Sequence, residues 1–271
     1  MKKILIALLL CALSLSAASG LAEGKLEAIQ AAGKLVMGTD AAWPPFEYIG
    51  ANGEPDGSDI EIGRYLAQQL GVELEVKNIA FDSLSTALVS NEIDVAIAAM
   101  TITEERKDAV DFSVPYTVAQ QYIIVNDDND SVSVLEDLAG YAIGVHLGTT
   151  GDFLVSDAIM LDGGALYNSG ASVQQYKFLT DACLALKNGE LGAIVCDTLL
   201  AKNLCAVNPG LKCFELAYAD GSSTIEEYGI AMKKGDDAFV EEINEIIAPL
   251  VEDGTVDEWI LDHTEWAADV Q

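Results

Sequence analysis

Short apolar runs alternate with amphipathic segments along most of the chain, a pattern typical of an α/β protein. One helix is predicted at residues 60–70, which Ser58 or Asp59 can cap and Gly71 ends. Further helices are predicted at residues 83–90, near 104, around 134–138, from 152, at 181–187, at 198–204 and across 239–250. Strands are predicted at residues 34–38, 72–76, 95–98, 122–125, 142–145, 173–178, 193–196 and 229–232. Strands that alternate with helices predict parallel sheets with helices on both faces.

The alternation falls into two runs, one before and one after about Tyr116. A chain of 271 residues also exceeds what one hydrophobic core usually needs. The pattern therefore predicts two similar α/β lobes in place of one oversized sheet.

The first residues are typical of a secretory signal peptide. Two lysines precede an apolar run at residues 4–15, and small residues follow it. Because that run is too short to span a bilayer, we expect residues 1–22 to be removed, with cleavage between Ala18 and Glu23. Cys11 lies inside the apolar run and is expected to leave with the peptide. The mature protein is expected to be exported, to the periplasm or the cell surface.

Acidic residues dominate the charge of the chain. Asp and Glu number 44 against 14 Lys and Arg, which gives a net charge of −30. A chain this acidic repels phosphate backbones and anionic lipid surfaces, so nucleic-acid binding and peripheral membrane binding are excluded. The hydrophobic content of 51 % excludes a disordered chain as well.

Four cysteines follow the signal region, at positions 183, 196, 205 and 213. Cys205 and Cys213 flank an Asn-Pro-Gly turn, so a local disulfide between them is geometrically easy. Four cysteines allow three pairings, however, and buried free thiols are an equal alternative. No pair of Cys or His residues is closely spaced, so neither a metal site nor a cofactor is expected.

Candidate binding residues follow one predicted strand at its carboxyl end, where open α/β sheets bind ligands. That strand ends at Ala98 and leads through Ala99 and Thr101 to Arg106, near the start of a helix. An arginine there can bind a carboxylate with both arms of its guanidinium group. A surface ion pair with a neighbouring glutamate is the plain alternative.

Two later strand ends carry similar features. Thr149 and Thr150, between two glycines, follow the strand at 142–145, and Asp197 follows the strand at 193–196. Small residues let backbone amides approach an anion, and a carboxylate can receive an ammonium group. Both segments also fit ordinary helix caps.

Aromatic residues lie in loops that follow the early strands. Trp43, Phe46 and Phe81 are these residues, and Asp40 precedes them in the first loop. Their positions indicate the roof of a pocket, with simple packing around two adjacent prolines as the alternative.

Together these segments resemble the bacterial extracellular solute-binding proteins of family 3, the polar amino-acid receptors of ABC importers. The resemblance rests on GTDAAWPPFEY from position 38, GSDIEI from 57, IDV from 93, MTITEER from 100, VDFSVPY from 110, GTT from 148, DT from 197 and EYGIA from 227. It covers essentially the whole mature chain. Relatives usually carry an aromatic residue at the position of Ser58.

The resemblance implies a periplasmic-binding-protein-like fold of type II. Such a fold has two α/β lobes with mixed, mostly parallel sheets, joined by a two-segment hinge. Residues 24–116 plus 226–271 would form the first lobe and residues 117–225 the second. The chain would cross between them near 115–120 and 221–226.

The resemblance also implies how each end of an amino acid is held. Arg106, with Thr101 and Thr150, would bind the α-carboxylate. Asp197, with the Ala99 carbonyl region and the Thr101 hydroxyl, would bind the α-ammonium.

The side chain of the ligand would lie between Trp43 and Phe81. Asp40 could meet its far end as a charge partner, which favours a polar or cationic amino acid. His146, if protonated, would suit an anionic or hydrogen-bonding tail instead. In the alternative reading, Asp40 only caps its own loop and the ligand is a neutral amino acid.

The expected partners are a free amino acid and the permease subunits of an ABC importer, and the protein itself is expected to be a monomer. An enzyme on this fold, such as a cyclic-acid dehydratase, would need a general acid; His146 is the candidate, and no base beside it is evident. A sensor ectodomain would need a membrane exit after the domain, and the chain stops at Gln271. We therefore expect a binding protein without catalytic activity.

Overall fold

The computed structural model describes residues 24–270, with side chains up to Ala267. The predicted signal peptide and Cys11 lie outside these residues.

Helices and strands alternate through the described part of the chain. The helices are α1 (Lys25–Ala32), α2 (Ser58–Leu70), α3 (Leu84–Val89), α4 (Glu104–Ala109), α5 (Thr150–Met160), α6 (Leu179–Lys187), α7 (Thr198–Val207), α8 (Asp237–Glu252) and α9 (Thr255–Val270). The strands are β1 (Lys34–Thr39), β2 (Ala42–Trp43), β3 (Glu47–Ile49), β4 (Pro55–Asp56), β5 (Glu73–Asn78), β6 (Val95–Ala96), β7 (Val110–Phe112), β8 (Thr117–Asn126), β9 (Ala142–His146), β10 (Ser172–Tyr176), β11 (Ala193–Asp197), β12 (Leu211–Glu215), β13 (Ile225–Tyr228) and β14 (Ala231–Lys233). Short 3₁₀ helices occur at Phe81–Ser83 and Leu135–Leu138.

Two sheets of the same design organise the molecule. The strand order is β5-β1-β6-β14-β7 in the first sheet and β10-β9-β11-β8-β12 in the second. In the first sheet β1 runs parallel to β5 and β6, whereas β14 runs antiparallel to β6 and β7. In the second sheet β9 runs parallel to β10 and β11, whereas β8 runs antiparallel to β11 and β12. The expected type II fold with two mixed sheets is confirmed, and the antiparallel strand of each sheet adjoins a crossing of the chain. A separate small sheet contains β2, β3 and β4.

The two crossings of the chain pair with each other. β13 lies antiparallel to β8, from Ile225 opposite Gln120 to Tyr228 opposite Thr117. The predicted lobe bounds, 24–116 plus 226–271 and 117–225, stay a prediction. The strands of the first sheet lie at 34–112 and 231–233, which agrees with that division.

The start of α2 differs from the prediction. Its N-cap residue is Gly57, whose φ is 133°, and neither Ser58 nor Asp59 caps the helix through its side chain. A Cβ atom on Gly57 would lie 2.0 Å from the Phe46 carbonyl oxygen, so this close approach requires glycine. The Asp59 carboxylate is instead bound to the Ala99 amide, 2.8 Å away. The cap prediction was wrong because a contact distant in sequence uses the side chain.

The apolar face of α2 packs as its spacing predicts. Ile62, Leu66 and Leu70 are buried in the main hydrophobic core, and Gly71 ends the helix in the left-handed conformation. The four cysteines after the signal region are free thiols, with Cys183 and Cys196 buried. Within residues 24–270, no helix combines the length and the apolar character needed to cross a membrane.

Candidate functional site

A buried cavity lies where strand ends of the two sheets face each other. Trp43, Phe81, Ala98, Ala99, Thr101 and Arg106 line it from segments before β7, and Thr149, Thr150 and Asp197 line it from segments that follow β9 and β11. Nine of the twelve predicted site residues therefore meet in one place. Asp40, Phe46 and His146 do not line this cavity.

Arg106 is held at the wall of the cavity by local structure. The Thr103 hydroxyl accepts a hydrogen bond from the Arg106 amide at 3.1 Å and caps α4. The guanidinium donates to the Thr101 carbonyl at 2.7 Å and lies 5.2 Å from the centre of the Phe81 ring. Burial lowers the pKa of Arg106, against the opposing charges of acidic neighbours, and the group stays cationic at neutral pH.

Arg106 also spans the gap between the two sides of the cleft. Its second terminal nitrogen donates to the Gly148 carbonyl at 3.1 Å, in the loop after β9. Gly148 has φ 81°, and a Cβ atom there would lie 3.1 Å from the Cβ of Asp82 on the opposite side. Glycine therefore allows the two sides to approach this closely.

The two threonines of the predicted anion loop have different tasks. The Thr149 hydroxyl donates to the His146 carbonyl at 2.9 Å and caps α5 by accepting from the Asp152 amide. The Thr149 hydroxyl is therefore an ordinary helix cap, which was the alternative interpretation of this segment. The Thr150 hydroxyl instead enters the cavity, 3.4 Å from the hydroxyl of Thr101 on the opposite side.

Asp197 occupies the N-cap position of α7 without capping the helix through its side chain. It is 4 % exposed, and its carboxylate accepts hydrogen bonds from the Gln121 amide and the Tyr228 hydroxyl. Burial, and then the charge of Glu226, raises the pKa of Asp197 to about 7. The carboxylate therefore does not cap the helix, and no cationic side chain within residues 24–267 forms an ion pair with it.

Glu226, on the crossing strand β13, is the main site residue that the sequence analysis missed. One of its oxygens accepts from the hydroxyls of both Thr101 and Thr150, each at 2.7 Å. Its other oxygen accepts from Gln121, on the crossing strand β8, at 3.0 Å. The available signal was its place directly before the EYGIA segment, at an expected crossing.

Two buried acids, Asp59 and Glu47, lie next to each other, and Asp59 supports the loop at Ala99. The Asp59 carboxylate accepts from the Ala99 amide at 2.8 Å and from the Tyr116 hydroxyl at 2.9 Å. Ala99 has φ 46°, a left-handed conformation that these bonds help to hold. Burial raises the pKa of Asp59 to about 6, and burial beside Asp59 raises the pKa of Glu47 well above its usual range.

Asp40 and His146 lie in an adjoining cavity that shares Phe81 with the first one. The Asp40 carboxylate accepts from the Phe81 amide at 3.0 Å and lies 3.4 Å from Nε2 of His146. The His146 ring is 5.2 Å from the Trp43 ring. His146 therefore has an acidic neighbour, contrary to the sequence analysis, because the loop after β1 and the end of β9 meet only in the fold.

Phe46 lies apart from both cavities. It is 2 % exposed and packs edge-on against Tyr228, with ring centres 5.4 Å apart. The structure thus places Phe46 in the core beside the site.

This arrangement offers the two opposite charges that a zwitterion needs when it is removed from water. A buried carboxylate and a buried ammonium each lose hydration, which costs several kcal/mol per ion unless each is paired and hydrogen-bonded. Arg106 and Asp197 offer opposite charges from opposite sides of one cavity. No group of His, Cys, Asp and Glu within residues 24–267 places three potential metal ligands in this cleft.

The chain is similar in sequence to known amino-acid-binding proteins. The L-cystine-binding protein TcyJ of Escherichia coli K12 is 31 % identical over 235 residues, which is 86 % of this chain and 84 % of that protein. The ABC transporter arginine-binding protein 1 of the same organism is 30 % identical over 263 residues, which is 96 % of this chain and 99 % of that protein.

Solved structures show the same likeness. The substrate-binding protein AbpA from Streptococcus pneumoniae, bound to L-arginine, matches with a TM-score of 0.81. It is 29 % identical, and the match covers 90 % of this chain and 99 % of AbpA. The family described as bacterial extracellular solute-binding proteins, family 3, matches residues 35–263. The chain belongs to that family.

Proposed function

We propose that this protein is an exported receptor that encloses a free cationic amino acid between its two sheets and delivers it to an ABC importer. The observation that carries the proposal is that Arg106 and Asp197, of opposite charge, line one buried cavity. The α-carboxylate would bind Arg106 with the Thr101 and Thr150 hydroxyls, and the α-ammonium would bind Asp197. These are the contacts that a zwitterion needs on burial.

The charges around the cleft favour a cationic side chain. Around the two cavities the carboxylates outnumber the cations: Asp40, Asp82, Asp197 and Glu226 lie beside Arg106 and Lys177. An acidic ligand would add a negative charge to this excess, whereas arginine, lysine or protonated histidine would reduce it. Trp43 and Phe81 provide aromatic surfaces that suit an aliphatic or cationic side chain. The arginine-binding relative and the arginine-bound AbpA support the same ligand class.

Closure of the cleft would follow because Arg106 and Asp197 would bind the two ends of the ligand from opposite sides. A ligand bound to one side alone would have one of its charges unpaired. Binding to both sides favours the closed form, because a ligand shifts a conformational equilibrium only through its differential affinity for the two states. The importer would then recognise the closed shape.

A thermal-shift screen of the twenty amino acids tests the proposal. Stabilisation by Arg, Lys or His, with Gln as the polar extension of the class, is the expected result. A preference for Glu, Asp or an aliphatic residue would contradict the ligand class. Turnover of a cyclic acid by the protein would favour a dehydratase in which His146 and Asp40 act as acid and base.

A matched pair of variants locates the ligand. Arg106→Ala should abolish the stabilisation by the preferred amino acid, because the ligand carboxylate would be buried without a partner. Lys107→Ala, at the next position of α4, removes a half-exposed cation that pairs with Glu104 and should leave the stabilisation unchanged. Equal responses from both variants would argue against the cleft as the binding site.

A further inference from the structure

Three side chains outside the cleft converge at the junction of β4, α2 and α9. Asp56 ends β4, Glu61 lies in the first turns of α2, and His263 lies on α9. One ligand-type atom from each residue lies within 4.8 Å of the others. Because His263 is far from Asp56 and Glu61 in the chain, spacing rules for metal sites do not reveal the three residues together.

His263 is buried and only half satisfied. It is 1 % exposed, and its Nδ1 lies 2.9 Å from the Tyr48 hydroxyl. Its Nε2 has no hydrogen-bond partner among the residues that the structure describes and lies 3.9 Å from a Glu61 oxygen. A histidine that ligates a metal through one nitrogen usually has the other nitrogen held by a hydrogen bond, as Tyr48 can do here.

A cation of this chain already lies between the two carboxylates. One terminal nitrogen of Arg64 is 2.7 Å from Glu61 and 3.3 Å from Asp56. The Arg64 side chain is 48 % exposed, so it can swing into solvent at little cost. A divalent ion brings twice the charge and, unlike a guanidinium, can also accept the lone pair of an imidazole.

We propose that Asp56, Glu61 and His263 form a site for a first-row divalent metal such as zinc, which binds by displacing Arg64. One imidazole and two carboxylates are a donor set that suits zinc better than calcium or magnesium, which take oxygen ligands. Zinc binds such ligands at about 2.0–2.2 Å, so the side chains need only small rotations to reach one ion. None of the three residues lines the cleft. The site would fasten α9 to the start of α2.

Calorimetric titration of the metal-free full protein with zinc chloride tests the site. One zinc per chain is expected, and Glu61→Gln should weaken binding by about tenfold or more. Asp56→Asn should weaken it similarly, whereas Arg64→Ala should strengthen it because the competing cation is gone. Absence of a stoichiometric site, or equal affinity in Glu61→Gln and the wild type, would overturn the proposal.

A matched control separates this site from general attraction to an acidic surface. Glu104 pairs with Lys107 three residues later on α4, as Glu61 pairs with Arg64 on α2. Glu104→Gln should leave zinc affinity unchanged. Cobalt gives an independent readout, since its visible absorption reports the ligands directly. Loss of that spectrum in Glu61→Gln but not in Glu104→Gln is expected, and equal loss in both would overturn the proposal.

Discussion

The molecule contains two neighbouring pairs of carboxyl groups, Asp59 with Glu47 and Asp197 with Glu226, and all but Glu226 are buried. Asp59 and Glu47 face the protein, and Asp59 is bonded to the Ala99 amide and the Tyr116 hydroxyl. Asp197 and Glu226 face the cleft, and their donors come from both sides of it. Burial raises the pKa of Asp59 and of Asp197 alike.

The comparison distinguishes an acid that supports the fold from an acid that can bind a ligand. Asp59 and Asp197 are both buried, and each accepts two hydrogen bonds from neutral donors of the chain. Asp197 differs because it lines the cavity, where a ligand ammonium could reach it, whereas Asp59 does not line it. A buried acid therefore indicates a binding site only when a ligand can reach it.

The largest effect is expected for Asp197→Asn. Loss of the charge opposite a buried ammonium should weaken amino-acid binding by about 2–5 kcal/mol. Deaminated analogues of the preferred amino acid should bind the variant and the wild type alike, as calorimetry can measure. Equal losses for amino acids and their analogues would make Asp197 a supporting acid like Asp59.

Asp59→Ala should mainly reduce stability. It removes the acceptor of two buried donors, the Ala99 amide and the Tyr116 hydroxyl, which should lower the free energy of unfolding by about 1–3 kcal/mol. Asp59→Asn keeps an acceptor oxygen and serves as the matched control. Urea unfolding measures the free energy of unfolding of both variants. An Asp59→Ala protein as stable as the wild type would show that Asp59 does not support the fold.

The smallest effect concerns pH. Because Asp197 has a pKa near 7 in the ligand-free protein, arginine should bind about tenfold more weakly at pH 6 than at pH 8. This pKa lies above the unfolded value, so the Asp197 contribution to ligand-free stability should fall as pH rises from about 4 to about 7. Of the groups that face Asp197, Gln121 stays neutral, Tyr228 stays protonated, Arg106 stays cationic and Glu226 raises the pKa.

Glu226→Gln supplies the control for this titration. It removes the neighbouring charge, so the midpoint of the affinity change should move to lower pH. Affinity that is flat between pH 6 and pH 8 in the wild-type protein would contradict the assignment to Asp197.

The local hydrophobic pattern was sufficient to predict candidate site residues at the ends of strands. It was insufficient to predict the contacts that the fold makes between distant segments. Arg106, Thr150 and Asp197 were predicted because each follows an apolar strand within a few residues. Glu226 was not, because its bond to Gln121 joins residues 105 positions apart through the pairing of β13 with β8. Composition alone does not register such a contact.

The terminal helix escaped prediction for a different reason. The buried residues of α9 include Val256, His263 and Ala267, in place of a stripe of large apolar side chains. The stretch around them is rich in acids and lacks the periodic signal on which the other helices were predicted.

The place of β14 has a consequence for biosynthesis. This strand, residues Ala231–Lys233, lies between β6 and β7 in the middle of the first sheet. A growing chain has made β1, β5, β6 and β7 long before β14, the strand that joins β6 to β7, exists. The first sheet therefore stays incomplete until synthesis is nearly over, and its long-range pairing forms late. In the exported receptor proposed above, this order of strands would delay folding until the chain is nearly complete.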